Sequence, residues 1–173
     1  MRNALLLGIL LVGCGKKADS TPPPEKPATG APVAFIAKSV KPGENHDGAL
    51  SLKAYNFSDK TIGQYSILMR YYDASGATLK VKVGTPFEED HDFYSVSGNK
   101  YKCNPKSWCE FTVDHLDIPA KAAKADVLAS GVTALKDDIH FEDETMWRLP
   151  GGGMDWPLDK KEGAAAPAGS AAP

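Results

Sequence analysis

Between positions 50 and 113 the chain repeatedly places an apolar side chain at every second residue. Leu50, Leu52 and Ala54 alternate with Ser51 and Lys53. Tyr65, Ile67, Met69 and Tyr71 repeat the pattern, as do Leu79, Val81 and Val83 against Lys80 and Lys82, and Cys109, Phe111 and Val113. A strand changes face at each residue, whereas a helix brings apolar positions together at spacings of three and four. The segments therefore read as strands with one buried face. Their connectors have turn chemistry: NFSDKT (56–61) separates two strands, and DASG (73–76) closes a hairpin. VAFIAK (33–38) supplies a first strand.

The segment 119–135 is two-sided. Its Ala, Lys and Leu content suits a helix beginning after Pro119. Val127, Val132 and Thr133 suit a strand, and the preceding strands need a partner, so 125–135 is predicted as strand. A short last strand is expected around 139–141. Six or seven short antiparallel strands with little helix indicate a β-sandwich. Composition sets the boundaries. Residues 14–32 are rich in Pro, Ala, Thr and Lys and read as a linker, and 158–173, ending EGAAAPAGSAAP, read as a disordered tail. The intervening 33–157 is long enough for one domain with its own core.

The stretch NFSDKTIGQYSILMRYYDASGATL (56–79) resembles the small immunoglobulin-like domains of the FxLYD type found in bacterial envelope proteins. Asn56, Ser58, Asp59 and Lys60 match that family's turn, and Tyr72, Asp73 and Gly76 match its second part. The resemblance covers about 25 residues and implies an immunoglobulin-like antiparallel sandwich. It departs at a long loop, 84–108, where such domains have a short connection.

The start of the chain has a separate logic. Arg2 is followed by an apolar run, 4–12, far short of the ~20 residues a spanning helix needs. It reads as the apolar region of a secretory signal, 1–13. Leu11-Val12-Gly13-Cys14 resembles the lipobox of bacterial lipoproteins. That resemblance implies lipidation of the Cys14 sulfur, cleavage before it, and acylation of the new amino group. Several acyl chains anchor stably where one does not. The expected location is the cell envelope. The residue after the lipidated cysteine is Gly15 rather than Asp, which in Gram-negative lipoproteins implies the outer membrane, facing the periplasm or the cell surface.

Loss of Arg2 with the signal leaves 19 basic against 22 acidic groups, a balance with no footprint for nucleic acid. Cys103 and Cys109, in CNPKSWC, are expected to form a disulfide in an oxidising compartment, helped by the Asn104-Pro105 turn. A redox or metal pair would favour C-x-x-C spacing.

Candidate sites are few. FEEDHDF (87–93) offers Glu88, Asp90, His91 and Asp92 as ligands for a divalent cation, but it lacks the spacing and glycine of a calcium loop and also reads as a solvated acidic loop. Asp138, His140, Glu142 and Glu144 would share one strand face and carry the same two readings. Phe87, Phe93, Tyr94, Tyr101 and Trp108 in the long loop, with Trp147 and Trp156 around a glycine run, are candidates for partner contact. The same rings could instead fold back onto the sandwich. No catalytic motif or cofactor motif occurs, so neither an enzyme nor a cofactor is expected. Asn56-Phe57-Ser58 fits a glycosylation sequon. The expected function is a lipid-anchored, non-catalytic module that binds an envelope protein. The alternative is a protein that binds a divalent cation or small ligand through its acidic loops.

Overall fold

A computed structural model describes residues 21–81, 90–99, 102–137, 140–141, 145–151 and 156–158. Eight strands follow in chain order: β1 (Val33–Lys41), β2 (Gly43–Asn56), β3 (Ile62–Tyr72), β4 (Thr78–Leu79), β5 (Tyr94–Gly98), β6 (Trp108–Ile118), β7 (Lys124–Ala134) and β8 (Trp147–Arg148). There is no helix among the described residues. One sheet has the order β1-β2-β6. The other runs β4-β3-β7-β8, with β5 sharing the β4 side of β3. Every pairing is antiparallel. With β1, β2 and β6 facing β3 and β7, this is the immunoglobulin arrangement of strands A, B and E against C and F.

The alternating residues meet between the sheets. Leu50, Leu52, Ala54 and Phe111 come from the first, and Tyr65, Ile67, Met69 and Tyr71 from the second, all buried. Phe35, Tyr65 and Phe111 form an aromatic cluster at the centre, with Tyr65 and Phe111 centroids 4.9 Å apart.

Strict alternation explains only part of each strand, because bulges reset its phase. In β6 the inward positions run Cys109, Phe111, Val113 and then Leu116 and Ile118. The step of three is taken at His115, whose φ is 60°. In β2 the register jumps from Gly43↔Ile118 to Gly48↔Leu116, leaving four residues opposite one. A Cβ on Gly48 would lie 2.5 Å from the Leu116 carbonyl oxygen, so the chain needs glycine there. In β7 the step falls between Ala129 and Val132, where Ser66 pairs with Gly131 and Ile67 with Ala129. A bulge inserts an unpaired residue and re-aims those beyond it.

The strand expected at 125–135 is β7, and those expected at 33–38, 49–55, 65–73 and 109–113 lie in β1, β2, β3 and β6. Two expectations are corrected. The loop 84–108 contains β5, which pairs with Tyr65–Met69 of β3 and fills the edge that a loop would have left open. The alternation at 78–84 yields only the two-residue β4 and a bridge from Val81 to His91, with Lys82 and Val83 outside the described residues. Of the strand expected at 139–141, Phe141 forms a bridge to Leu135, and Ile139 lies outside the described residues.

Sheet two is covered on both sides. The outward residues Leu68 and Arg70 of β3 are buried along with Leu149 and Trp156. Trp156 lies 5.6 Å from Phe93 and under the Arg70 guanidinium at 4.6 Å. The C-terminal segment thus adds a partial third layer, which is why β3 is buried on both faces.

Candidate functional site

The site is best built from the end of the sandwich where β2 turns into β3. Asn56 closes β2 and is fully buried. Its side-chain Nδ2 donates to the carbonyls of Lys60 (2.8 Å), Cys103 (3.0 Å) and Asn104 (3.1 Å). Its Oδ1 accepts from the Ser58 N–H (2.8 Å) and hydroxyl (2.7 Å). One amide therefore shapes the 56–61 turn and fastens it to a loop 47 residues away. The Cys103–Cys109 disulfide closes that loop, with Cα atoms 5.4 Å apart. Ile62 and Cys103 exchange backbone hydrogen bonds of 2.9 and 2.8 Å, and the Tyr55 hydroxyl donates to the Lys106 carbonyl. A fully buried Asn56 leaves no room for a glycan, so the sequon is excluded as a modification site in the folded chain.

The disulfide loop delivers Trp108 to the outer face of the first sheet, opposite Tyr55. Tyr55 stands edge-on to both Phe57 (4.8 Å) and Trp108 (5.2 Å), and the Lys53 ammonium lies 4.4 Å over the indole. Against this platform rests the chain's own segment before β1. The Trp108 indole N–H donates to the Thr21 carbonyl at 2.9 Å, and Lys53 donates to the Thr21 hydroxyl at 3.4 Å. Ala31 is buried, and the Phe57 N–H donates to the Pro32 carbonyl at 2.8 Å.

Of the other aromatic candidates, those among the described residues are engaged within the chain. Tyr94 points into the sandwich, its hydroxyl 3.2 Å from that of Tyr71. Burial raises the Tyr71 phenol far above its ordinary range. Burial also pushes Tyr94 up to about 12, offset in part by the bond to Tyr71. Phe93, Trp147 and Trp156 pack with Leu68 and Leu149 on the outside of the second sheet. Phe87 and Tyr101 lie outside the described residues, as do Cys14 and Glu88.

Asp90, His91 and Asp92 are exposed, and His91 is held through its backbone to Val81. His140 pairs with Asp137 at 2.8 Å, while Asp138, Glu142 and Glu144 lie outside the described residues. Among the described residues no group of three or more His, Cys, Asp and Glu side chains is placed to hold a metal ion.

The sequence reading missed a cleft of about 450 Å³ at the opposite end, lined by Asn45, His46, Lys80, Asp117, Ile118 and Pro119. The four-residue excursion of β2 forms one wall. Asn45 and His46 have φ of 54° and 64°, and Asp117 holds His46 through its backbone N–H (2.8 Å) and its Nδ1 (3.0 Å). Left-handed backbone at non-glycine residues is uncommon and is held here by those two bonds. An interrupted alternation before Leu50 was the only available signal.

The descriptions of known protein families, the curated proteins and the solved structures contain no match to this chain.

Proposed function

We propose that this protein is a lipid-anchored, non-catalytic recognition module of a bacterial envelope, which binds a protein partner through loop 84–108 and the edge of β6. The lipobox-like sequence ending at Cys14 supports the anchor. One observation carries the recognition reading. Among the described residues, β6 pairs only with β2, which places this eleven-residue strand at one edge of its sheet, as β1 is at the other. In the other sheet β3 is flanked by β7 on one side and by β4 and β5 on the other, and β8 pairs with Gly131 and Val132 of β7. A strand at the edge of a sheet can take an added strand from a partner. The disulfide and the Asn56 hub fix the start of that edge, which lowers the ordering cost of binding. Glu110 and Asp114 are exposed along it.

Site-specific photocrosslinkers at Glu110 and Asp114, with Lys124 on β7 as control, test this in native envelope. Adducts to one envelope protein from Glu110 and Asp114 alone are expected. Equal labelling from Lys124, or none from any site, refutes the edge. Cys14→Ala is expected to abolish acylation and processing, and an acylated, processed variant refutes the anchor.

A second reading, binding of a small ligand, is favoured by the cleft at His46, where strained backbone borders a concavity. A thermal-shift screen separates the two, since a specific ligand stabilises by mass action.

A further inference from the structure

We infer that Trp108 and Lys53 form a clasp on Thr21, at the head of the stiff run Pro22–Pro23–Pro24, and that this clasp shortens the tether between the domain and its membrane. The standoff part rests on the proposed lipidation of Cys14; the clasp itself does not. Three consecutive prolines fix φ near −65° and hold an extended, left-handed helix whose carbonyls are free of internal hydrogen bonds. Such a segment loses little freedom on docking. Its usual receptor is a group of aromatic rings with a donor aimed at one of its carbonyls.

The outer face of the first sheet has those parts. Tyr55, Phe57 and Trp108 stand edge to face, and the indole N–H donates to the carbonyl of Thr21, the residue before the run. Lys53 lies over the indole and also reaches the Thr21 hydroxyl, so one cation serves ring and tether together. Pro22 and Pro23 are exposed, Pro24 and Pro27 are half-buried, and the segment turns at Pro27–Gly30 before Ala31 enters the core. The occupant is therefore the chain's own segment, bound in cis.

The consequence is geometric. Cys14 is nineteen residues before Val33, where the domain begins, but only seven before Thr21. At ~3.3–3.6 Å per extended residue, the reach falls from roughly 65 Å to roughly 25 Å. For a flexible chain the mean separation, ~5–6 Å × √n, falls by on the order of 10 Å. The clasped domain is thus held close to the bilayer on its Trp108 side.

Two measurements test this. In the full mature chain carrying Cys14→Ser, the Trp108 indole N–H is expected to exchange slowly with solvent by NMR. Replacing Pro22–Pro24 with Gly-Ser-Gly is expected to speed that exchange at least tenfold, without moving the domain's melting temperature, and Trp108→Phe is expected to release the 21–26 backbone. Equal exchange in parent and Gly-Ser-Gly chains overturns the clasp; protection that appears only at high protein concentration overturns binding in cis. In the acylated protein, an acceptor lipid in phosphatidylethanolamine vesicles and a donor on Ala74→Cys report the standoff. A lengthening on the order of 10 Å in the Gly-Ser-Gly variant supports the shortened tether, and an unchanged distance overturns it. A chain that is never acylated overturns the proposed anchoring while the exchange result stands on its own.

Discussion

Replacing Asn56 with alanine should cost the domain about 3 kcal/mol. The magnitude follows from what each partner keeps. Asn56 offers two N–H donors and one accepting oxygen, engaged in five contacts. After the change, the Cys103 carbonyl still accepts from the Ile62 N–H, the Asn104 carbonyl from the Ser107 hydroxyl, and the Lys60 carbonyl from the Ser58 hydroxyl. No carbonyl is orphaned, so the larger penalty of a stranded buried group does not apply to them. What is lost is about four hydrogen bonds at ~0.5–1.5 kcal/mol each, less some recovery by water at Ser58. Against a total stability of ~5–15 kcal/mol this is a large share. Urea unfolding at neutral pH should show a lower midpoint with an unchanged slope. Asn56→Asp sharpens the test, because it keeps the acceptor and turns the donor into an oxygen facing three carbonyls. Burial there would raise the new carboxyl's folded pKa above its unfolded value of ~3.9, so its folded state holds the proton. The variant should be least impaired near pH 4 and lose stability as pH rises towards 7. A loss below 1 kcal/mol for alanine, or an aspartate variant equally stable at both pH values, would refute the hub.

The unreduced mature chain should show no free thiol at Cys103 or Cys109 by alkylation and mass spectrometry, and Cys109→Ser should cost ~2 kcal/mol for so short a loop. Because Tyr71 and Tyr94 have folded pKa values raised by burial, their stabilisation is complete below the ordinary phenol value of ~10 and is lost as pH climbs towards the folded value, about 12 for Tyr94. Phenolate absorbance should therefore show Tyr71 and Tyr94 ionising only as the domain unfolds; titration of either near the ordinary phenol value in the folded chain would contradict the packing. Trp156→Ala, which uncovers Leu68, Leu149 and Arg70, should cost about 3 kcal/mol by thermal or urea melting, and a neutral effect would show that the C-terminal layer contributes nothing.

The fold class was legible because period two is a local property that survives in a single sequence. Leu50, Leu52 and Ala54 face the core as their spacing requires, and so do Tyr65 to Tyr71. The parts that were not legible depend on distant partners. YSVSG has few residues and much serine, and only its pairing with β3 makes it a strand. Arg70 signals an exposed face until Trp156 covers it. Asn56 was visible as turn chemistry, but its carbonyl partners at Cys103 and Asn104 lie beyond any local pattern. Leu116 and Ile118 fall out of phase with Phe111, and nothing local announced the left-handed His115 that brings them inward. The cleft at His46 was missed for the same reason, since two bulged strands build it together.

Those paired bulges also act on how the chain finds its native pairing. A strictly alternating β2 sliding by two residues along a strictly alternating β6 would still bury apolar side chains, and the two registers would compete. Here Gly48 must sit opposite Leu116, because only a glycine tolerates that carbonyl, and the excursion on β2 must sit opposite Asp117. A slip of two residues would place the Leu50 side chain on that carbonyl and separate Asp117 from His46. The irregularity works as an index notch: it removes the degeneracy that regular strands carry, so the β2–β6 ladder closes in a single alignment.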